Sequence, residues 1–445
     1  MRFRGLAIAC VVLLALSGVL YWSGHHKKST PSSTPNNSPV VLKINPASVT
    51  GITIADKGVA PVTLRKSGAG VWQITAPRQL PADQQTVKDV VSNLSPLNGE
   101  RVIENNGADL VEFGLARPSV ELDVTEKDHA AQKLLFGDNT PTGDSAYAMV
   151  AGDPRVFTVY AFNKTDLNKT LDELRDTRLI TADPEKMSRI DVKKGGQTIV
   201  FGRNSSGNWE IQQPGPYRAD SMAVDGVADA LSGVRMNLTG AGSKEADSNF
   251  AQGAPYASIQ VTAPVGTQTI EVRKNKNNYY AKSTVAGSDA YLIDSSIADS
   301  LNKPLDDFRN KTVFDFSYNE PSEVDLTLTN GKNDASQSWY LKRSGDEWWL
   351  DGKKMDADSV EDVISALRDL TATRFATTGF TKPTIETTVI SNNGSLVEKV
   401  SIAKSGQTYL AKRANEPTLY VLDGGAIEGL RSAAEKVRPA GKPHN

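Results

Sequence analysis

The side chains best suited to chemistry are few and poorly spaced for it. The four histidines are His25, His26, His129 and His444. The first two are adjacent, the third lies in the polar stretch EKDHAAQ, and the last is penultimate. No HExxH or other paired spacing offers a zinc ion its ligands. The lone cysteine, Cys10, sits in an apolar stretch, where neither an intramolecular disulfide nor a cysteine metal site is available. The run from Asp138 to Asp144, DNTPTGD, has a superficial calcium-loop look. It lacks the alternating acidic ligands and the closing glutamate, and reads as a solvated hairpin turn. Ser401 and Lys404 match an SxxK spacing, but inside a strand pattern and with no SDN or KTG element. GxSxG, Walker A and GxGxxG strings are all missing. No catalytic, cofactor-binding or metal-ligating residue is nominated, no cofactor is expected, and the chain reads as non-enzymatic.

The chain has 445 residues, with 50 Lys+Arg against 52 Asp+Glu and a formal net charge of −2. That balance leaves no basic surplus for phosphates, so nucleic acid is not an expected partner. At 39% hydrophobic and 23% charged residues the body can bury real cores. Its length suggests two to four domains. Residues 6–22, LAIACVVLLALSGVLYW, form an apolar run entered through Arg2 and Arg4 and closed by Tyr21 and Trp22. At 1.5 Å per residue the run would just span a bilayer core, so residues 1–24 read as a signal anchor and transmembrane helix. Cleavage beside Ala15-Leu16-Ser17 and lipoprotein processing at Cys10 are the weaker alternatives. The positive-inside rule places the N-terminus in the cytoplasm and the body outside a bacterial inner membrane. Residues 25–41, rich in Ser, Pro and Asn, read as a tether.

A long-period repeat organises the rest. Trp72, Trp209 and Trp348 are each followed by an aliphatic residue two positions on, a short polar loop and then Asp83, Asp220 or Asp356. Counting from each Asp, positions +4, +7, +8, +11 and +14 are apolar in all three copies, from Val87 to Leu97, Val224 to Val234 and Val360 to Leu370. This is one face of an amphipathic helix, with the Asp as N-cap. These six residues are markers of architecture. Trp349, beside Trp348, must face the other way along a strand, toward solvent, a ligand or a partner. Downstream, Phe113, Phe250 and Phe380 each precede a proline and then strands of period two, such as Val120, Leu122 and Val124. Copies one and two end alike, in LDELRDTRLI and LDDFRNKTVF, where Arg175 and Arg309 read as helix-end ions with carboxylate partners. Repeats over 42–180, 181–313 and 314–439 follow, with a tail at 440–445. The expected class is α+β: an N-terminal transmembrane helix, then three units, each a mainly antiparallel sheet packed with two or three helices.

The W-x-I and PAD-helix element, FGLARPSVELDV, FGDNTPTGDSAYAMVAGDPRVFTV and LDELRDTRLI together resemble the domain of unknown function family 4340. The likeness is dense over 42–310. It is degraded in the third copy, which lacks the FGD and LRDxR elements, so a partner surface built on them would be missing there. The resemblance implies a membrane anchor, tandem units, and genes beside those for gliding-motility-type ABC transporter components. It brings no catalytic residue. The resulting expectation is an envelope accessory or scaffold subunit that contacts proteins of an ABC-type transporter assembly. A binding module for cell-wall glycan or another envelope ligand is the alternative, and a hydrolase with an unrecognised site is the third reading.

Overall fold

The computed structural model describes residues 38–106, 109–238, 243–316, 321–329 and 335–441. The proposed anchor and tether up to residue 37, with Cys10, His25 and His26, lie outside them, as does His444. The described chain forms two compact units, the first ending at Asp176 and the second beginning at Thr177.

Strands dominate, and the α+β expectation is corrected; the expected transmembrane helix lies outside the described residues. A two-stranded ribbon accompanies three antiparallel sheets of nine, eight and nine strands. No helix among the described residues is long and apolar enough to cross a membrane. The helices are short: α1 (Gln84–Asn93), α2 (Ala161–Leu167), α3 (Leu171–Leu174), α4 (Ser221–Gly233), α5 (Ser243–Gln252), α6 (Ser296–Ser300), α7 (Ala357–Arg368) and α8 (Gly424–Glu435). Helical periodicity is easily seen in a sequence, whereas two-residue edge strands such as Leu80–Pro81, Tyr217–Arg218 and Lys353–Lys354 are too short to show any alternation. The sequence pattern therefore gave the helices too much weight.

All three sheets follow one plan. In the first, the spatial order is Leu80–Pro81, Trp72–Ala76, Val62–Lys66, Val49–Asp56, Val120–Glu126, Gln132–Asn139, Ser145–Val150, Val156–Tyr160 and Arg101–Glu104. The third sheet repeats this order and the second repeats its first eight strands, centred on Glu323–Thr329 beside Ile385–Ser391 and on Arg189–Lys194 beside Ala254–Ala263. On one face lies the helix opened by the marker Asp. Asp83 accepts from Thr86 N at 2.8 Å, Asp220 from Ala223 N at 3.1 Å and Asp356 from Ser359 N at 3.1 Å. Each cap satisfies an orphan donor of the first turn and is worth about 1 kcal/mol. The buried stripes Val87, Val90, Val91; Val224, Val227, Leu231; and Val360, Val363, Leu367 pack into the three main cores.

Strand alternation sends the next residues to the opposite face, where each repeat holds a smaller cluster around its marker Phe. Phe113 packs with Leu115, Tyr147 and Met149; Phe250 with Tyr280 and Ala290; Phe380 with Leu410, Leu419 and Val421. Each repeat is then closed by a backbone clasp on its marker Asp. Asp83 N donates to Leu174 O, Asp220 N to Phe308 O and Asp356 N to Arg438 O, at 2.8 to 2.9 Å. The residues that follow are Arg175, Arg309 and Pro439, bridged to Ala82, Ala219 and Met355.

Candidate interaction surface

The marker residues are spent on packing. Trp72, Trp209 and Trp348 are buried among their cores. Gln84, the first residue of α1, binds both the N–H and the carbonyl of Trp72 at 2.9 Å. The Trp209 indole donates to Asp225 at 2.7 Å beneath the Arg203 guanidinium, which lies 4.1 Å from the ring centroid. Trp349 is half-buried on the outer face of its strand, with Lys342 and Lys354 as cross-strand neighbours. Among the described residues no group of three His, Cys, Asp or Glu side chains is placed to hold a metal. The Asp138–Asp144 segment is a strand end and hairpin turn, closed by Thr140 N to Ser145 O at 2.8 Å.

Arg309 is more than a helix-end ion. It pairs with Asp306 at 3.2 Å, but its plane also lies between Tyr217 of the second sheet and Phe375 of the third, 4.0 and 3.6 Å from the ring centroids. Its Nη2 donates to Thr418 at 3.1 Å. Beside it Arg218, also from the second sheet, reaches Thr312 O at 2.8 Å, the Tyr420 hydroxyl at 3.1 Å and Asp315. Arg413 of the third sheet joins Asp315 at 2.9 Å, Glu398 at 3.0 Å and Glu416 at 2.7 Å. Burial and the neighbouring Glu416 hold the Tyr420 phenol up at about 12 against the pull of Arg218. Burial also raises Glu398, opposed by its bonds from Asp315 N and Arg413. The cluster matches cations with carboxylates and welds the second and third repeats into one unit. It is a joint, with its charges turned on each other rather than on a ligand.

The first unit differs at its FGD element. Asp138 N donates to Phe113 O at 3.0 Å, and a Cβ at Gly137 would lie 2.0 Å from that oxygen, so only glycine allows the approach. By strand register Arg273 and Ala403 stand at this position in the other repeats. Lys164 of α2 donates to Gly137 O at 2.8 Å, and burial lowers its ammonium against the pull of Asp138 and Asp56. This anchors the first turn of α2, where Ala161 N also donates to Asp144 O at 2.9 Å. At that turn Tyr160 and Phe162 are 50% and 59% exposed, with rings stacked 5.4 Å apart at 11°. Two large rings held in water on a fixed support are what protein contacts use as anchors. The sequence reading missed this pair; its only trace was Phe162 following Tyr160 at a spacing of two where a strand gives way to a helix.

The profile of a family described as Domain of unknown function (DUF4340) matches residues 72–252 and again 209–389. The two windows open on Trp72 and Trp209, so one match spans most of one repeat and the first part of the next. No curated protein matches the chain. Among solved structures, a DNA polymerase sliding clamp from Pseudomonas aeruginosa with ligand aligns over 86% of this chain and 93% of its own, at 9% identity and a TM-score of 0.15. A likeness that slight carries no argument.

Proposed function

The chain belongs to the domain of unknown function family 4340, and from that premise we propose that it is a non-enzymatic accessory or scaffold component of a bacterial cell-envelope assembly of ABC-transporter type. It acts by protein contact, with Tyr160 and Phe162 of the first unit as the anchor and the joined second and third repeats as a rigid body. The observation that supports this reading is the exposed, stacked Tyr160–Phe162 pair, where the three recurrent tryptophans are buried. The family's neighbourhood beside transporter genes, implied by the resemblance, supplies the class of partner.

The test is capture of the full chain from envelope extracts in mild detergent, beside a Tyr160→Ala/Phe162→Ala variant. The wild type is expected to recover transporter subunits, and the variant at least tenfold less, with unchanged circular dichroism. Capture without any transporter subunit, or equal capture by both proteins, contradicts the proposal.

A further inference from the structure

The second repeat contains a cavity of about 340 Å³ that neither of its closing elements fills. It exists because α6 is only five residues long and is followed by a single 3₁₀ turn at Leu305–Asp307, which leaves part of the sheet uncovered. Its walls include Val192, Phe201, Val227, Leu301 and Phe308, all buried and all part of the main core, together with the half-buried Ile199. Such walls offer water few partners. Among the described residues the polar lining is one-sided in charge: Lys194 and Lys303 contribute to it, and no carboxylate does. Lys194 donates to Asn302 Oδ1 at 2.8 Å and Leu301 O at 3.1 Å, and lies 4.8 Å from the centre of the Tyr256 ring. The two hydrogen bonds use two of the ammonium's three donors and hold it at the edge of the cavity. In the third repeat the corresponding region is lined by Lys404, Glu428, Arg431 and Glu435, so both charge signs are present there.

We propose that this cavity binds a single-chain aliphatic carboxylate, with its chain along the apolar wall and its head at Lys194 and Lys303. The size fits: at the roughly 30 Å³ that a water occupies in the liquid, the space holds on the order of ten heavy atoms. Burying the chain removes apolar surface from water on both partners, and the lysines select the anionic head. The proposal is independent of the protein-contact reading, since it concerns a different unit of the chain.

The test uses the full chain and a decanoate carrying a terminal diazirine, with adducts mapped by mass spectrometry and competition by decanoate, decanol and anionic phospholipid vesicles. Adducts are expected within 192–201, 227 and 301–308. Decanoate should compete at least tenfold better than decanol, and Lys194→Gln/Lys303→Gln should remove that preference. Val227→Trp should abolish these adducts, and Ile199→Phe serves instead should the tryptophan variant not fold. Scattered adducts, equal competition by decanol, competition by vesicles alone, or labelling that survives cavity filling overturns the assignment.

Discussion

The second and third repeats share a sheet order, a capped helix and a backbone clasp, yet they close differently. In the second, the five-residue α6 leaves a cavity and the closing segment ends in Arg309, which enters an aromatic clamp completed by the third repeat. In the third, the twelve-residue α8 packs Ile427, Leu430 and Ala434 into the core, and Pro439 occupies the place of the arginine. The sheet and its helix make a repeat stable, while the closing segment decides what that repeat can do. An arginine there joins it to a neighbour, and a short helix leaves room for a ligand. The degraded ending of the third copy is therefore a different closure rather than a loss of order.

The largest effect that separates the two is at the closing helices. Leu430→Ala removes a fully buried side chain and should cost about 4 kcal/mol, whereas Leu301→Ala, beside an existing void, should cost about 2 kcal/mol. Denaturant unfolding of the full chain measures both, and equal costs would remove the distinction between a filled and an unfilled closure. Next is the joint. Arg309→Ala loses two desolvated ring contacts and should cost about 3 kcal/mol, while Pro439→Ala should stay within about 0.5 kcal/mol. The arginine variant should also separate the unfolding of the second and third repeats, and a single unchanged transition would show that the clamp does not couple them.

The caps should fall below these. Asp220→Ala is expected to cost about 1 kcal/mol. Asp356→Ala should cost slightly more, because Asp356 also meets Arg438 at 2.9 Å. Thermal melting of the two variants checks the order. The smallest effect is a pH dependence confined to the third repeat. Glu398 has its pKa raised above 4.5 by burial, so the folded state holds that proton more tightly than the unfolded chain. The resulting stabilisation is present below pH 4.5 and is lost as pH rises through the raised folded value. Glu398→Gln should remove this falling segment from the melting profile, and an unchanged profile would assign it to another group.

Much of the scaffold was legible because it is local. Asp83, Asp220 and Asp356 are read as caps from residues a few positions away, and the valine and leucine stripes need only one helix to show themselves. The joint was not legible, since Arg218 meets Tyr420 across 202 positions and no local pattern links them. Arg309 was seen as an ion, but its two rings come from different sheets. The correspondence of Pro439 with Arg175 and Arg309 is invisible in side-chain type and appears only in the clasp to Asp356. Tyr160 and Phe162 were hidden for another reason: aromatic residues at a strand end usually pack inward, and exposure is a property of what covers them.

Hydrogen exchange on the full chain, alone and bound to a captured transporter subunit, locates the contact. Exchange should slow at amides 156–168, around Tyr160 and Phe162, and stay unchanged in the strands carrying Trp72, Trp209 and Trp348. Slowing confined to the Trp349 strand, or no slowing in the first unit, would contradict the protein-contact reading.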